Sequence, residues 1–567
     1  MFTTTPDSGN RQVEEGYVAP TARRTFQGWL LIILVFVAGA ASLAVEMAAS
    51  RLLAPYFGTS LFVWANLIGL ILLYLTIGYY VGGRLADRYP RPTVFYGLTA
   101  VAALLIALIP LISRPILSWS LLAFATYSVG VFYGSLVSVI LLFAVPMILL
   151  GCVSPFAIRL RVEQVGKSGR TAGLLYAIST AGSIAGTFLP VLVFIPWIGT
   201  YRTFLVFAFA LLVVSIVGLI VSNTKKPDEP QLLEEGKNSD KPQLPEKGKR
   251  VSKNLLSLLL LLPMLLSLLG LRGPIKPADG SNGGGVLLTE RESLYNYIQV
   301  VRVGNETQLV LNEGVGIHSV YNPDHILTQG PWDYFMIAPY FNNPPFTASQ
   351  VRRVCIIGLG AGTIPREMTA AYGSIPIDGI EIDGEIVNLA RQYFAMNEPN
   401  LHVIVQDGRY YLRTTMQHYD IIGMDAYQQP YIPFQLTTSE FFHEVRDHLT
   451  PTGVAVVNVG RTGTDFRLVD ALSQTMHTVF PNVYIIDSMR FTNSLVIGTN
   501  QPTELTNFIN NTGQLNNPLL QSVAHDSIAT GNLREETRAS VYFTDDKAPV
   551  EQLIDAIIFN VVETEKK

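Results

Sequence analysis

Apolar residues are spaced in two ways along this chain. From Trp29 to Val221 they run for about twenty residues at a time, the length of helix that crosses a hydrocarbon core. From Val286 onward they fall into short runs that alternate with helical spacing. The long stretches are Trp29–Ala49, Phe62–Gly82, Thr93–Ile112, Val131–Gly151, Gly173–Ile195, Tyr201–Val221 and, shorter, Leu255–Leu271. They predict an N-terminal α-helical membrane bundle over residues 29–222, after a tail of residues 1–28. The first stretch is not read as a cleaved signal, because further spans follow it without a small-residue cleavage site.

Basic residues between the stretches set the expected orientation. Arg23 and Arg24 precede the first; Arg84, Arg88 and Arg91 follow the second; Arg159, Arg161, Lys167 and Arg170 follow the fourth. The alternate connections hold only Arg51, Arg114 and Arg202, so the amino terminus is expected in the cytoplasm. Residues 223–254, rich in Lys, Glu, Pro and Gly, predict a solvated linker. Leu255–Leu271 is short and interrupted by Pro263, yet nearly all leucine. If it crosses, everything after it lies outside the cell; if it is re-entrant or lies on the surface, the carboxy-terminal half stays inside.

Glu46 is the one acid deep in the first span, where an ionisable group is costly and a functional candidate by default. Pairing with Arg51 or snorkelling to water is the simpler expectation. The spacings Gly78 to Gly82 and Gly182 to Gly186 predict close helix packing.

Past Asp279–Gly285, segments such as NYIQVVRV and TQLVLNEG alternate β-branched and polar residues about a turn at Gly304–Asn305, which predicts a small antiparallel β-domain over residues 286–345. Trp332–Phe341 has the spacing of a helix. Over residues 350–567, strands predicted at Val354–Ile357, Ile377–Ile382, His402–Val405, Tyr419–Asp425 and Val454–Val459 alternate with helical patterns; Val483–Asp487 and Ser494–Gly498 are weaker. Such alternation specifies a Rossmann-like α/β domain, a parallel sheet covered on both faces.

Composition narrows the function class. Hydrophobic residues make up 49% of the 567 residues and charged ones 15%, a membrane-protein balance. A net charge of −4 argues against a nucleic-acid partner. The two cysteines, Cys152 and Cys355, lie far apart in apolar segments, and His and Cys do not cluster, so neither a disulfide framework nor a metal site is expected.

The candidate chemistry gathers after Val354. The run Val354–Ile357 leads into Gly358, Gly360 and Gly362, a turn in which a ligand can approach the main chain closely. Glu381, about twenty residues on, is placed to accept from both ribose hydroxyls. Asp407 can accept from an adenine amino group beside Gly408, or cap the next helix; Asp383 is expected to cap the helix starting near Gly384. Asp425 precedes Tyr427 and a proline-punctuated loop long enough to act as a lid, and its carboxylate can take a proton from an attacking amine or simply fix the loop. Ligands on such sheets bind beyond the carboxyl ends of the strands, so these acids should share one crevice.

The segments ERESLYNYIQV, the glycine turn, GIEID, QDGRYYL, MDAY, LTTSEFF and LTPTGV resemble those of the spermidine synthase (polyamine aminopropyltransferase) family, and the whole chain resembles its bacterial members fused to a multi-span membrane region. The resemblance implies a small β-domain before a class I methyltransferase-type fold, and decarboxylated S-adenosylmethionine as donor. It implies Glu381 on the ribose, Asp407 on the adenine, Asp425 as general base and Asn296 in contact with the nucleoside. A small-molecule amine acceptor, with Tyr427 and Asp333 on the substrate side, a homodimer and no metal are implied with them.

Three departures bear on the substrates. Ala361 stands where the family has an acid in the glycine turn, and Gln428 where it has a second acid after the catalytic one; of the acidic diamine-binding segment only Asp324 and Asp333 are near. These losses fit a less basic acceptor, S-adenosylmethionine itself as donor in a methyltransferase, or a transporter or sensor that binds a polyamine or nucleoside without turnover.

Overall fold

The structure is a computed structural model that describes residues 22–57, 61–124, 130–162, 168–223, 261–262, 264–268, 274–281, 284–312, 316–427, 432–529, 531–535, 541–550 and 553–554. Gln428 and Leu255–Leu260 lie outside these residues.

The amino-terminal half is helical: α1 (Ala22–Phe57), α2 (Leu61–Arg88), α3 (Pro92–Phe124), α4 (Gly130–Gly151), α5 (Val153–Arg161), α6 (Ser168–Leu189), α7 (Ile195–Ile198) and α8 (Thr200–Asn223). A π-helical stretch, Pro190–Phe194, joins α6 to α7. Among the described residues six helical segments are long and apolar enough to cross a membrane.

Small residues decide how these helices pack. A Cβ on Gly182 would lie 2.1 Å from the Phe36 carbonyl oxygen and one on Gly186 2.0 Å from that of Ala40, so α1 and α6 run parallel with their backbones touching. Gly78 stands against α4 in the same way, with a Cβ 2.3 Å from the Ile148 carbonyl oxygen. Helices α3 and α8 are antiparallel, joined where Thr99 and Ser215 hydroxyls meet at 2.8 Å.

The bundle therefore has two distinct ends. At one, Arg161 Nη1 reaches the Gly28 carbonyl at 3.4 Å and Arg159 meets Asp87 at 3.2 Å. At the other lie Phe57, Leu61 and Thr200, and there the rest of the chain docks. Tyr56 Oη donates to the Ile275 carbonyl at 3.3 Å and Thr200 N to Glu292 Oε2 at 2.9 Å. Helix α8 ends at the first face and Ile275 sits at the second, about 35 Å apart for a helix of this size. Residues 261–262 and 264–268 are helical; Leu261 and Met264 pack on the bundle core, and the Ser267 hydroxyl donates to the Ala107 carbonyl halfway along α3.

The small sheet is β1 (Val286–Glu292), β2 (Tyr297–Val303), β3 (Glu306–Leu311) and β4 (Ile317–Tyr321), antiparallel in that order. It packs Ile298, Val300 and Leu309 onto Leu359, Ile386 and Ala390 beside the glycine turn.

The large sheet holds β5 (Val354–Ile357), β6 (Ile377–Glu381), β7 (Leu401–Val405), β8 (Tyr419–Met424), β9 (Leu449–Gly460), β10 (Asn482–Asp487), β11 (Asn493–Thr499) and β12 (Leu533–Glu535), in the order β12-β10-β11-β9-β8-β5-β6-β7. Strands β9, β8, β5, β6 and β7 are parallel, as expected, whereas β11, β10 and β12 pair antiparallel, so the sheet is mixed. Alternation along β5 sends Val354 and Ile356 to one buried cluster with Phe335 and Phe341, and Cys355 and Ile357 to the other with Phe441 and Phe442. The predicted helix at Trp332–Phe341 is instead a 3₁₀ helix, Pro331–Phe341. Pro339 has no N–H for an α-helical bond, and burial of every residue in the segment holds the tighter winding in place.

Candidate active site

The glycine turn is built from positive-φ residues. Gly358, Gly360 and Gly362 have φ of 84°, 55° and 86°, a region that side-chain-bearing residues avoid. A Cβ on Gly358 would lie 2.5 Å from the Asp425 carbonyl, so this glycine lets the ends of β5 and β8 come together. Gly362 instead packs on Met396 and begins the helix Thr363–Tyr372; it shapes the turn without lining the cavity.

A cavity of about 490 Å³ lies over the strand ends. Gly358, Gly360, Glu381, Asp407, Gly408 and Asp425 all line it, whereas Asp383, expected in the same crevice, does not. Asn296 and Tyr427 line it as well.

Glu381 Oε2 accepts from Gly360 N at 2.9 Å and Oε1 from Asp383 N at 3.1 Å, which ties the carboxylate to the turn. Burial pushes its pKa up to about 7 against these bonds. Asp383 caps the helix Gly384–Tyr393 through Glu385 N and also accepts from Ser293 Oγ at 2.5 Å and Asn296 Nδ2 at 2.9 Å. The Asn296 amide is thus spent on Asp383, with its Oδ1 taken by Asn312. Asp407 caps the helix Gly408–Thr414, accepting from Tyr410 N at 2.8 Å.

Asp425 is gripped from both sides. Trp332 Nε1 donates to Oδ2 at 2.9 Å and Asn458 Nδ2 to Oδ1 at 2.7 Å. Enclosure by protein raises its pKa to about 7 even though both bonds favour the charged form. Asn458 is itself oriented by Asn493 at 3.0 Å, and Tyr427 donates to the Asn458 carbonyl at 2.9 Å. A carboxylate so held can exchange a proton near neutral pH.

Two expectations are corrected. Asp333, expected on the substrate side, does not line the cavity: its carboxylate accepts from Thr328 N, Thr328 Oγ1 and Gln329 N, so it folds the loop before the 3₁₀ helix. Asp324 is likewise spent on the Asn305 side chain. Arg51 does not pair with Glu46; it lines the cavity and lies within electrostatic reach of Glu292 and Asp383.

Trp332 and Asn458, which hold Asp425, went unread because no local motif marks them. Nor did any pattern indicate that Met47, Ser50, Arg51, Val63, Trp64 and Leu67 of the bundle line the same cavity.

Strand order and the glycine turn define a Rossmann-like, class I methyltransferase-type domain. The family model for the spermine/spermidine synthase domain matches residues 340–492. The probable polyamine aminopropyl transferase of Bifidobacterium longum (strain NCC 2705) is 39% identical over 198 residues, 35% of this chain and 43% of that one, so the match spans less than half of that relative. The polyamine aminopropyltransferase of Vibrio vulnificus (strain CMCP6) is 30% identical over 212 residues, 36% of this chain and 68% of the relative. The crystal structure of a probable spermidine synthase from Corynebacterium glutamicum ATCC 13032 is similar at 20% identity and a TM-score of 0.34, covering 45% of this chain and 96% of that one. The chain belongs to the polyamine aminopropyltransferase family.

Proposed function

We propose that the carboxy-terminal half transfers an aminopropyl group from decarboxylated S-adenosylmethionine to an amine, with Asp425 as general base. The donor's ribose sits on Glu381, its adenine near Asp407 and Gly408, and its sulfonium-bound carbon toward Asp425. Nitrogen of the acceptor attacks that carbon; an N–C bond forms, the C–S bond breaks with its electron pair left on sulfur, and the proton lost from nitrogen goes to Asp425. Alignment supplies most of the rate, because the sulfonium is already a good leaving group. The observation that carries this reading is the convergence of Glu381, Asp407 and Asp425 with the glycine turn in one cavity, where Trp332 and Asn458 hold Asp425 and burial raises its pKa to about 7. Product analysis tests it: methylthioadenosine is expected, and S-adenosylhomocysteine or no product contradicts it.

The bundle spans the membrane in this reading, and the enzyme half lies at the face opposite the amino terminus. Docking of Ile275 and Glu292 on the Tyr56 and Thr200 end supports that placement. With a cytoplasmic amino terminus, the site then faces outward. A carboxy-terminal tag accessible to protease in intact cells agrees with this; a protected tag contradicts it.

A further inference from the structure

The cavity does not stop at the sheet. It reaches down between α1 and α2, where Met47 lies ten residues inside the end of α1 and Leu67 six residues inside the start of α2, about 15 Å and 9 Å of helix. Val191, in the π-helical stretch, closes the third side; such stretches interrupt the regular helix ladder and recur at functional sites. The walls of this lower part are apolar, with Met47, Val63, Leu67 and Val191 facing in, while Ser50, Arg51 and Trp64 stand at the junction.

Charge divides the cavity in the same way. Among the described residues its acids, Glu381, Asp407 and Asp425, all belong to the carboxy-terminal half, and the first two are taken by the donor in the reading above. One carboxylate, Asp425, remains for the acceptor, and the bundle adds a cation, Arg51. A dicationic diamine would leave its second ammonium facing Arg51, an apolar wall or neutral side chains such as Ser50 and Gln435, with no further carboxylate among the described lining residues. Ala361 supplies none either.

The bundle is also fastened to the site. Glu292 takes both the N–H and the hydroxyl of Thr200 at the start of α8. Its neighbour Ser293 holds Asp383, whose own N–H meets Glu381. The start of α8 and Glu381 are thus linked through Glu292, Ser293 and Asp383.

We propose that the acceptor is an amphiphilic amine carrying a single ammonium group: its nitrogen lies at Asp425 and its hydrocarbon chain in the pocket between α1 and α2, with Arg51 selecting against a second positive charge. This rests on the aminopropyl-transfer reading. Two sources share this chemistry, a lipid with an amine headgroup and a free alkylamine.

The test uses the full chain in phosphatidylcholine nanodiscs with decarboxylated S-adenosylmethionine. Methylthioadenosine release is followed with putrescine, with dodecylamine, or with phosphatidylethanolamine included in the disc. Turnover at least tenfold higher with either amphiphile than with putrescine is expected; phosphatidylethanolamine as the better acceptor assigns a lipid headgroup, and dodecylamine a free amine. Leu67→Trp, which fills the apolar extension, should cut amphiphile turnover at least tenfold while methylthioadenosine still binds by calorimetry, a check that the fold and donor pocket persist. Arg51→Gln should shift the putrescine-to-dodecylamine ratio toward putrescine. Putrescine turned over as well as the amphiphiles, or amphiphile turnover indifferent to Leu67→Trp in protein that binds methylthioadenosine, overturns the acceptor assignment and leaves aminopropyl transfer standing. Absence of methylthioadenosine with all three amines overturns the transfer reading, and the acceptor assignment with it.

Discussion

The protonation of Asp425 sets a kinetic signature that can be worked out in advance. With its pKa near 7, the carboxylate is about one-tenth ionised at pH 6 and about nine-tenths at pH 8. A general base acts only when ionised, so kcat at saturating substrates should rise about tenfold between those values and level off above. An ordinary aspartate, with a pKa near 4, is ionised throughout that window and gives a flat profile. Trp332 supplies one of the two side-chain hydrogen bonds that favour the charged form. Trp332→Phe should therefore move the limb upward, by about one unit if the lost bond is worth about 1.4 kcal/mol. Asp425→Asn should remove the limb and lower kcat by about 10² to 10⁴-fold. The assay is initial-rate methylthioadenosine release from pH 5.5 to 9. Glu381 also titrates near 7, but a group holding the ribose shows itself in the KM for the donor, which should fall as pH rises. A kcat independent of pH across this range, or a limb unmoved by Trp332→Phe, would refute the role given to Asp425.

Other outcomes follow from single residues. Glu381→Gln should weaken binding of methylthioadenosine by roughly 10- to 100-fold in calorimetry, the loss of about 1.5–3 kcal/mol for a charge-assisted hydrogen bond. Gly358→Ala should lower kcat by about 10²-fold or more, because the new methyl group meets the Asp425 backbone and moves the base out of line. Asp378 is buried beneath Arg353, Tyr419 and His402 and far from the chemistry; Asp378→Ala should cost about 1.5–3 kcal/mol of stability, seen as a lower melting temperature, without moving the kcat limb. In sealed right-side-out vesicles, donor added outside should be turned over and donor enclosed inside should not.

What the sequence disclosed was whatever local chemistry fixes. β5 and the turn after it were legible because a four-residue apolar run before three closely spaced glycines has few other structures open to it. Asp407 and Asp383 were legible as caps for the same reason, each lying directly before a helix. The antiparallel edge was not, since β10 to β12 differ from parallel strands only in how they pair, and pairing is a tertiary property. Asp333 misled because an acid near a site in sequence is as often committed to its own loop, and Thr328 and Gln329 claim this one. Arg51 reads as a basic residue of the connection after the first stretch and a partner for Glu46, and only the docking of the two halves places it and Trp64 on the cavity.

The claim on which all of this depends is that one nucleoside is held across the tips of β5 to β8. An experimental structure of the full chain with methylthioadenosine tests it most directly. The ribose hydroxyls are predicted on Glu381, the adenine amino group at Asp407, and the sulfur facing Asp425. A ligand bound elsewhere, or one whose ribose leaves Glu381 untouched, would contradict the account.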